Sequence, residues 1–137
     1  MNPAPMPFVT ALYGGIYALI LLALGLMVSR RRRQAGIGLG AGGDPQLERA
    51  IRVHGNAVEW GLAVLLLMLI AEENRASHIL LHACGIVFII ARVIHAAGLA
   101  RRSGHSAGRV IGAVLTYVVL AVLAVWNIVA FLRPLLA

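Results

Sequence analysis

The sequence predicts an all-α integral membrane protein, a four-helix bundle, and three observations carry that prediction. Of the 137 residues, 61% are hydrophobic and only 12% are charged, with a mean hydropathy of +0.89. A water-soluble domain of this size needs far more polar surface. The apolar residues fall into four runs, at about 8–28, 46–71, 77–99 and 107–132, and each supplies the roughly 20 residues a helix needs to cross the hydrocarbon core. The 12 basic residues are all arginine and gather between the runs, giving a net charge of +7. Such a balance can point to nucleic acid, but this clustering fits membrane topology, so no nucleic-acid partner is expected. One domain, residues 1–137, accounts for the chain, and no internal repeat is evident.

The first span is expected to begin near Phe8, because Pro3, Pro5 and Pro7 cannot extend a helix inward from that end. Its flank carries no basic residue, unlike that of a secretory signal. Tyr13 and Tyr17, one turn apart, read as interfacial aromatic anchors, and Gly14, Gly15 and Gly25 as sites of close helix approach. Arg30 to Arg33 follow, a topology signal that also attracts anionic lipid. The glycine-rich stretch from Gly36 to Gly43 reads as a flexible linker. It is no phosphate-binding fingerprint, since no strand precedes it. Asp44 then reads as an N-cap with Pro45 at the first helical position, so the second helix starts before the lipid core.

Loop charge sets the orientation. The first and third connections are rich in arginine, whereas the second, around Glu72 to Ala76, holds only Arg75. Arginine-rich short loops stay in the cytoplasm, so both termini are expected outside it. In the third span Cys84 is a small packed residue and, being alone, excludes an intrachain disulfide. His78 and His82 are spaced to hold a metal, but no third ligand is evident and no metal is expected. Trp126 reads as a belt residue and Asn127 as an interhelical hydrogen-bonding group.

The informative polar residues lie inside the spans. Glu48, Arg52, Asn56 and Glu59 share one face of the second helix, with Glu48 and Arg52 at i, i+4 pairing distance. His54 points about 200° from Arg52, on another face. Arg92 and His95 share a face of the third. Measured from the loop at Asn74, Asn56 and Arg92 both lie about 27 Å deep and Glu59 about 22 Å. Arg52 and His95 are level with each other, nearer the cytoplasm, where the fourth span enters with Arg109. Two facing helices then form a cationic pocket around one buried carboxylate, Glu59. Arginine grips carboxylates with paired hydrogen bonds, and a thiol beside Arg109 is held as thiolate. Two readings stay open: these groups hold a ligand bearing carboxylates and an ammonium, or the Arg92–Glu59 and Arg52–Glu48 pairs fix packing alone.

The pattern Glu48-Arg49-x-x-Arg52-x-His54-x-Asn56-x-x-Glu59, with Arg92-x-x-His95 in the third span, resembles the MAPEG family, the membrane-associated proteins of eicosanoid and glutathione metabolism. The resemblance covers nearly the whole chain and is nearest to the bacterial branch. It implies a homotrimer in the bacterial inner membrane, with glutathione as co-substrate bound between subunits toward the cytoplasmic side. It implies that Arg52, Asn56 and Glu59 contact glutathione with Arg92 helping and His95 as a further binding residue, and that Arg109 is the catalytic arginine that stabilises the thiolate. Glutathione transfer to lipophilic electrophiles, or peroxide reduction, is the implied chemistry. The chain departs from the eicosanoid synthases in having Leu99 and Ala113 near positions where those enzymes carry tyrosine, with Tyr117 one turn deeper. It also lacks the family's proline after the second-span glutamate. A small proton-coupled exporter is the competing class, since one intramembrane glutamate can alternate between proton and cation. Such exporters carry that acid in the first span, and arginines beside Glu59 repel cations. A non-catalytic bundle held by ion pairs is the third.

Overall fold

The computed structural model describes residues 6–101, Arg101 in its backbone alone, and 106–136. Among them the chain is all helical, with α1 spanning Phe8–Ala35, α2 Pro45–Glu73, α3 His78–Arg101 and α4 Ala107–Leu132, closed by a 3-10 turn at Arg133–Leu135. All four long helices are long and apolar enough to cross a membrane. Apolar side chains occupy both the surface and the centre, as a lipid surround permits: Leu19, Leu22, Leu66, Val118 and Val125 point outward, while Tyr17, Met68, Leu81, Phe88 and Leu123 fill the centre. α2 and α3 form the middle of the bundle. α3 lies closely along α4 and α1 along α2, and among the described residues α1 and α4 do not approach each other.

Local signals account for most helix ends. Asp44 Oδ1 accepts from the backbone N–H of Gln46 at 2.7 Å and of Leu47 at 3.3 Å, with Pro45 inside the first turn. These bonds satisfy two of the donors a helix start leaves bare. Ser106 caps α4 by accepting from Arg109 N–H at 3.3 Å. α1 runs well past the expected end at Val28, because nothing in the arginine run breaks a helix. It stops at Gly36, whose φ of 66° is the left-handed conformation that glycine adopts at little cost. The glycine-rich segment then folds back on the helix end, where Arg32 Nη1 donates to the carbonyls of Gly38 at 3.2 Å and Gly40 at 2.8 Å. α2 likewise runs on through Glu73, so Glu72 belongs to the helix and not to the loop.

The start of α1 is capped from a distance. Pro7 offers no side-chain cap, and the buried carboxylate of Glu72, at the far end of α2, accepts from Val9 N–H at 2.8 Å and Thr10 N–H at 2.7 Å. A carboxylate at a helix N-terminus also meets the positive end of its dipole.

Tyr13 and Tyr17 are core residues and not interfacial anchors: both are buried, Tyr17 to 1% exposure. Tyr17 lies over Gly61 of α2, donates to the Ala57 carbonyl at 2.6 Å, and packs its ring 4.8 Å from that of Phe88. The Tyr13 ring fills the space above Gly85 of α3, its hydroxyl 3.0 Å from His82 Nδ1. Close approach therefore occurs at Gly61 and Gly85, whereas a methyl group on Gly14 or Gly15 would meet nothing within 4 Å. α3 and α4 meet backbone to backbone at Gly112, where a Cβ would stand 2.5 Å from the Ala91 carbonyl oxygen and 2.6 Å from His95 Cβ. Asn127 ties α4 to α2 by donating to the Leu67 carbonyl at 3.0 Å, and Trp126 is half-buried against the core.

Candidate functional site

At the end of the bundle where α2 begins, α3 ends and α4 begins, a cleft of about 640 Å³ opens. That volume lies within the range of small-molecule sites. α2 forms one wall with Glu48, Arg52, Gly55, Asn56 and Glu59, residues that recur on one helical face. α3 contributes His95 and Leu99, one turn apart, and α4 contributes Arg109 from its first turn.

The close α3–α4 crossing fixes the far wall. Gly98, Gly108 and Gly112 let the two backbones meet, and Ser106 Oγ donates to the Gly98 carbonyl at 3.1 Å while it caps α4. His95 and Arg109 are thereby set on adjoining helices at one level. α2 and α3 are pinned by a side-chain bond at the depth that rise per residue predicts: Arg92 Nη2 donates to Asn56 Oδ1 at 2.8 Å.

Five of the six sequence-predicted residues, Arg52, Asn56, Glu59, His95 and Arg109, line the cleft. Arg92 does not. It is 2% exposed and stands behind Asn56 and His95, with Nη2 3.4 Å from His95 Nδ1. Glu59 departs from expectation in the other sense. It is exposed on this chain and, among the described residues, forms no ion pair with Arg92. The same holds for Glu48 and Arg52, both exposed and not joined to each other. Helical periodicity assigns residues to a face, but the face carrying Arg52 and Glu59 turns outward along the cleft rim instead of against α3. The buried carboxylate of the bundle is Glu72, at the opposite end.

Glu48, Arg49 and Leu99 line the cleft beside the expected residues. Their signal was present, since positions 48, 52, 55 and 59 repeat at helical spacing and Leu99 lies one turn beyond His95. Leu99 gives that wall an aliphatic side chain. Trp60 next to Glu59 packs against Tyr117 of α4, ring centres 4.9 Å apart. His54 faces α1, where Gly25 leaves it room. Arg102 to His105 of the third connection lie outside the described residues, as does the side chain of Arg101. Among the described residues no cluster of three metal-binding side chains occurs, and His82 is taken up by Tyr13.

The family model for MAPEG matches residues 10–129. The chain belongs to the MAPEG family. This MAPEG chain is also 42% identical over 105 residues to the inner membrane protein YecN of Escherichia coli (strain K12), an alignment that covers 72% of this chain and 80% of that protein. The YecN protein of Escherichia coli O6:H1 matches to the same extent. The matched MAPEG region contains every one of the cleft residues argued above, from Glu48 to Arg109.

Proposed function

We propose that this MAPEG protein binds glutathione in the cleft between α2, α3 and α4 and uses it as co-substrate against lipophilic electrophiles that reach the site from the bilayer. The observation that carries this reading is the cleft's lining: Arg52, Arg109, Asn56 and His95 gathered with the carboxylate of Glu59 in one space of about 640 Å³. Glutathione has two carboxylates, one ammonium and one thiol. Guanidinium groups match its carboxylates in paired geometry, and Glu59 matches its ammonium.

Arg109 is the catalytic residue in this reading. A cation beside the thiol favours thiolate, the nucleophilic form. The thiolate sulfur then bonds to an electrophilic carbon, and the displaced group departs with the bonding pair, or in conjugate addition the resulting carbanion takes a proton. With a hydroperoxide the sulfur attacks the terminal oxygen, the O–O bond breaks and the alkoxide leaves and takes a proton as the alcohol; the thiol of a second glutathione then attacks the sulfenic sulfur, releasing water and forming the disulfide. Fixed positive charge in a partly dry cleft stabilises these anions better than water does.

The open rim supports assembly as a homotrimer. Arg52 and Glu59 are exposed on a single chain, and a second copy laid against α2 would enclose them. The arginine-rich connections support insertion in the inner membrane with both termini outside the cytoplasm and the cleft at the cytoplasmic end. Arg30, Arg31 and Arg33 stay exposed at that end, available to anionic lipid. Isothermal calorimetry with reduced glutathione on the detergent-purified protein tests the reading, with saturable binding expected. Absence of any heat at millimolar ligand would overturn it, and native mass spectrometry of the same sample reads the trimer.

A further inference from the structure

Arg92 is a charged group without a carboxylate partner among the described residues, held at 2% exposure in a membrane-spanning bundle. Burying a guanidinium is costly, and an aliphatic side chain packs such a site better when packing is the only need. Its bonds show what the charge does. Nη2 donates to Asn56 Oδ1 at 2.8 Å and lies 3.4 Å from His95 Nδ1, while Nε has no partner among the described residues.

A guanidinium carries five donors and no acceptor. The Asn56 atom turned toward it must therefore be the carbonyl oxygen, which leaves the amide NH2 for the other side. By the same logic Arg92, 3.4 Å from His95 Nδ1, favours the tautomer that keeps a lone pair on Nδ1 and the ring proton on Nε2. Both residues line the cleft, and neither Asn56 Nδ2 nor His95 Nε2 is among the buried unpartnered atoms. In that arrangement the groups left for the cleft on this wall are two N–H donors. Without Arg92 the Asn56 amide could turn over and the imidazole exchange tautomers, and each would then offer an acceptor as readily as a donor.

We propose that Arg92 is a positioning residue that orients Asn56 and His95 as paired donors, so that this wall accepts only a group that cannot donate, a carboxylate or a thiolate. The uncompensated charge behind the two side chains acts in the same direction. An ammonium or a protonated thiol at this wall meets donors only. The ligand half of the inference rests on the glutathione reading, and the orientation half does not.

Two measurements on the full chain in detergent micelles decide it. The first needs no ligand. Nitrogen NMR of histidine-labelled protein, with His95→Gln to assign the signal, is expected to show His95 with a bare Nδ1 and a protonated Nε2. Arg92→Leu is expected to mix the tautomers. A protonated Nδ1 in the parent protein, or an unchanged signal in Arg92→Leu, would overturn the orientation. The second is calorimetry with reduced glutathione. Arg92→Leu is expected to weaken binding about tenfold in the parent and less than about threefold in an Asn56→Ala, His95→Ala background. An equal loss in both backgrounds would show Arg92 acting without these two residues. Should Arg92→Leu not fold, Asn56→Asp keeps an oxygen on Arg92 and turns the second oxygen to the cleft. It is expected to stay folded and lose about tenfold or more in affinity, and unaltered affinity there refutes the donor wall. If the parent itself binds no glutathione, the functional reading fails while the tautomer measurement still decides the orientation.

Discussion

Replacing Glu72 with alanine removes the carboxylate cap on the first turn of α1 and gives the sharpest test of how the bundle is held. Glu72 accepts from Val9 N–H at 2.8 Å and Thr10 N–H at 2.7 Å. A hydrogen bond to a charged partner contributes about 1.5–3 kcal/mol, and a carboxylate at a helix N-terminus adds roughly 0.3–1 kcal/mol. A cavity of about 370 Å³ lined by Met6, Glu72, Arg75 and His78 opens beside the cap, so water can recover part of the loss. The expected cost of Glu72→Ala is therefore about 3–5 kcal/mol, and of Glu72→Gln, which keeps one acceptor, about 2–3 kcal/mol. Sodium dodecyl sulfate titration of the micelle-bound protein, followed by circular dichroism, measures the change. Hydrogen exchange at the amides of Val9 and Thr10 localises it, and both should exchange faster. Stability within about 0.5 kcal/mol of the parent, the range of an inert surface change, with exchange unaltered at both amides, would refute the reasoning.

Gly112→Ala places a methyl group 2.5 Å from the Ala91 carbonyl oxygen and against His95. It should destabilise by about 1–3 kcal/mol in the same titration, and glutathione affinity should fall because His95 moves with the helix. Tyr17→Phe keeps the ring over Gly61 and loses the 2.6 Å bond to the Ala57 carbonyl, so about 1 kcal/mol or more is expected in the same assay. Arg109→Leu should lower the rate of thiol conjugation about 100-fold, read by stopped-flow as loss of the ultraviolet thiolate signal of bound glutathione, with a smaller effect on binding. Raising ionic strength should weaken glutathione binding, since free anions compete with the ligand carboxylates for Arg52 and Arg109 and screen their charge, and calorimetry across a salt series reads the slope.

The features read most securely from the residues were those set by local chemistry. Helices of membrane-spanning length follow from long apolar runs, and the start of α2 follows from Asp44 and Pro45, whose effect reaches three residues. The meeting of Asn56 with Arg92 was legible because both helices leave one short loop at 1.5 Å per residue, so depth is simple arithmetic. What stayed hidden was which way a face turns. Glu59 shares its stripe with Asn56, yet Asn56 reaches α3 and Glu59 lies on the rim, a difference of about 60° around the helix that periodicity leaves unresolved. Tyr17 looked like an anchor because tyrosines near a helix start commonly are. Only Gly61, 44 positions later by the numbering, explains its burial. Glu72 was missed for the same reason, its partners being 62 and 63 residues away. Arg92 looks like a ligand-gripping group in the sequence because side-chain type signals charge but not whether another residue stands in front.

The link between Glu72 and the first turn of α1 bears on the order in which the chain is threaded into its membrane. The first span leaves the synthesis machinery with two amides bare at its leading end. Their acceptor is translated more than sixty residues later and reaches them only when the second span has crossed in full. Two spans therefore mature as one hairpin, closed at its tip by a carboxylate, and a chain stalled between them would present an unfinished end to whatever surveys nascent membrane proteins.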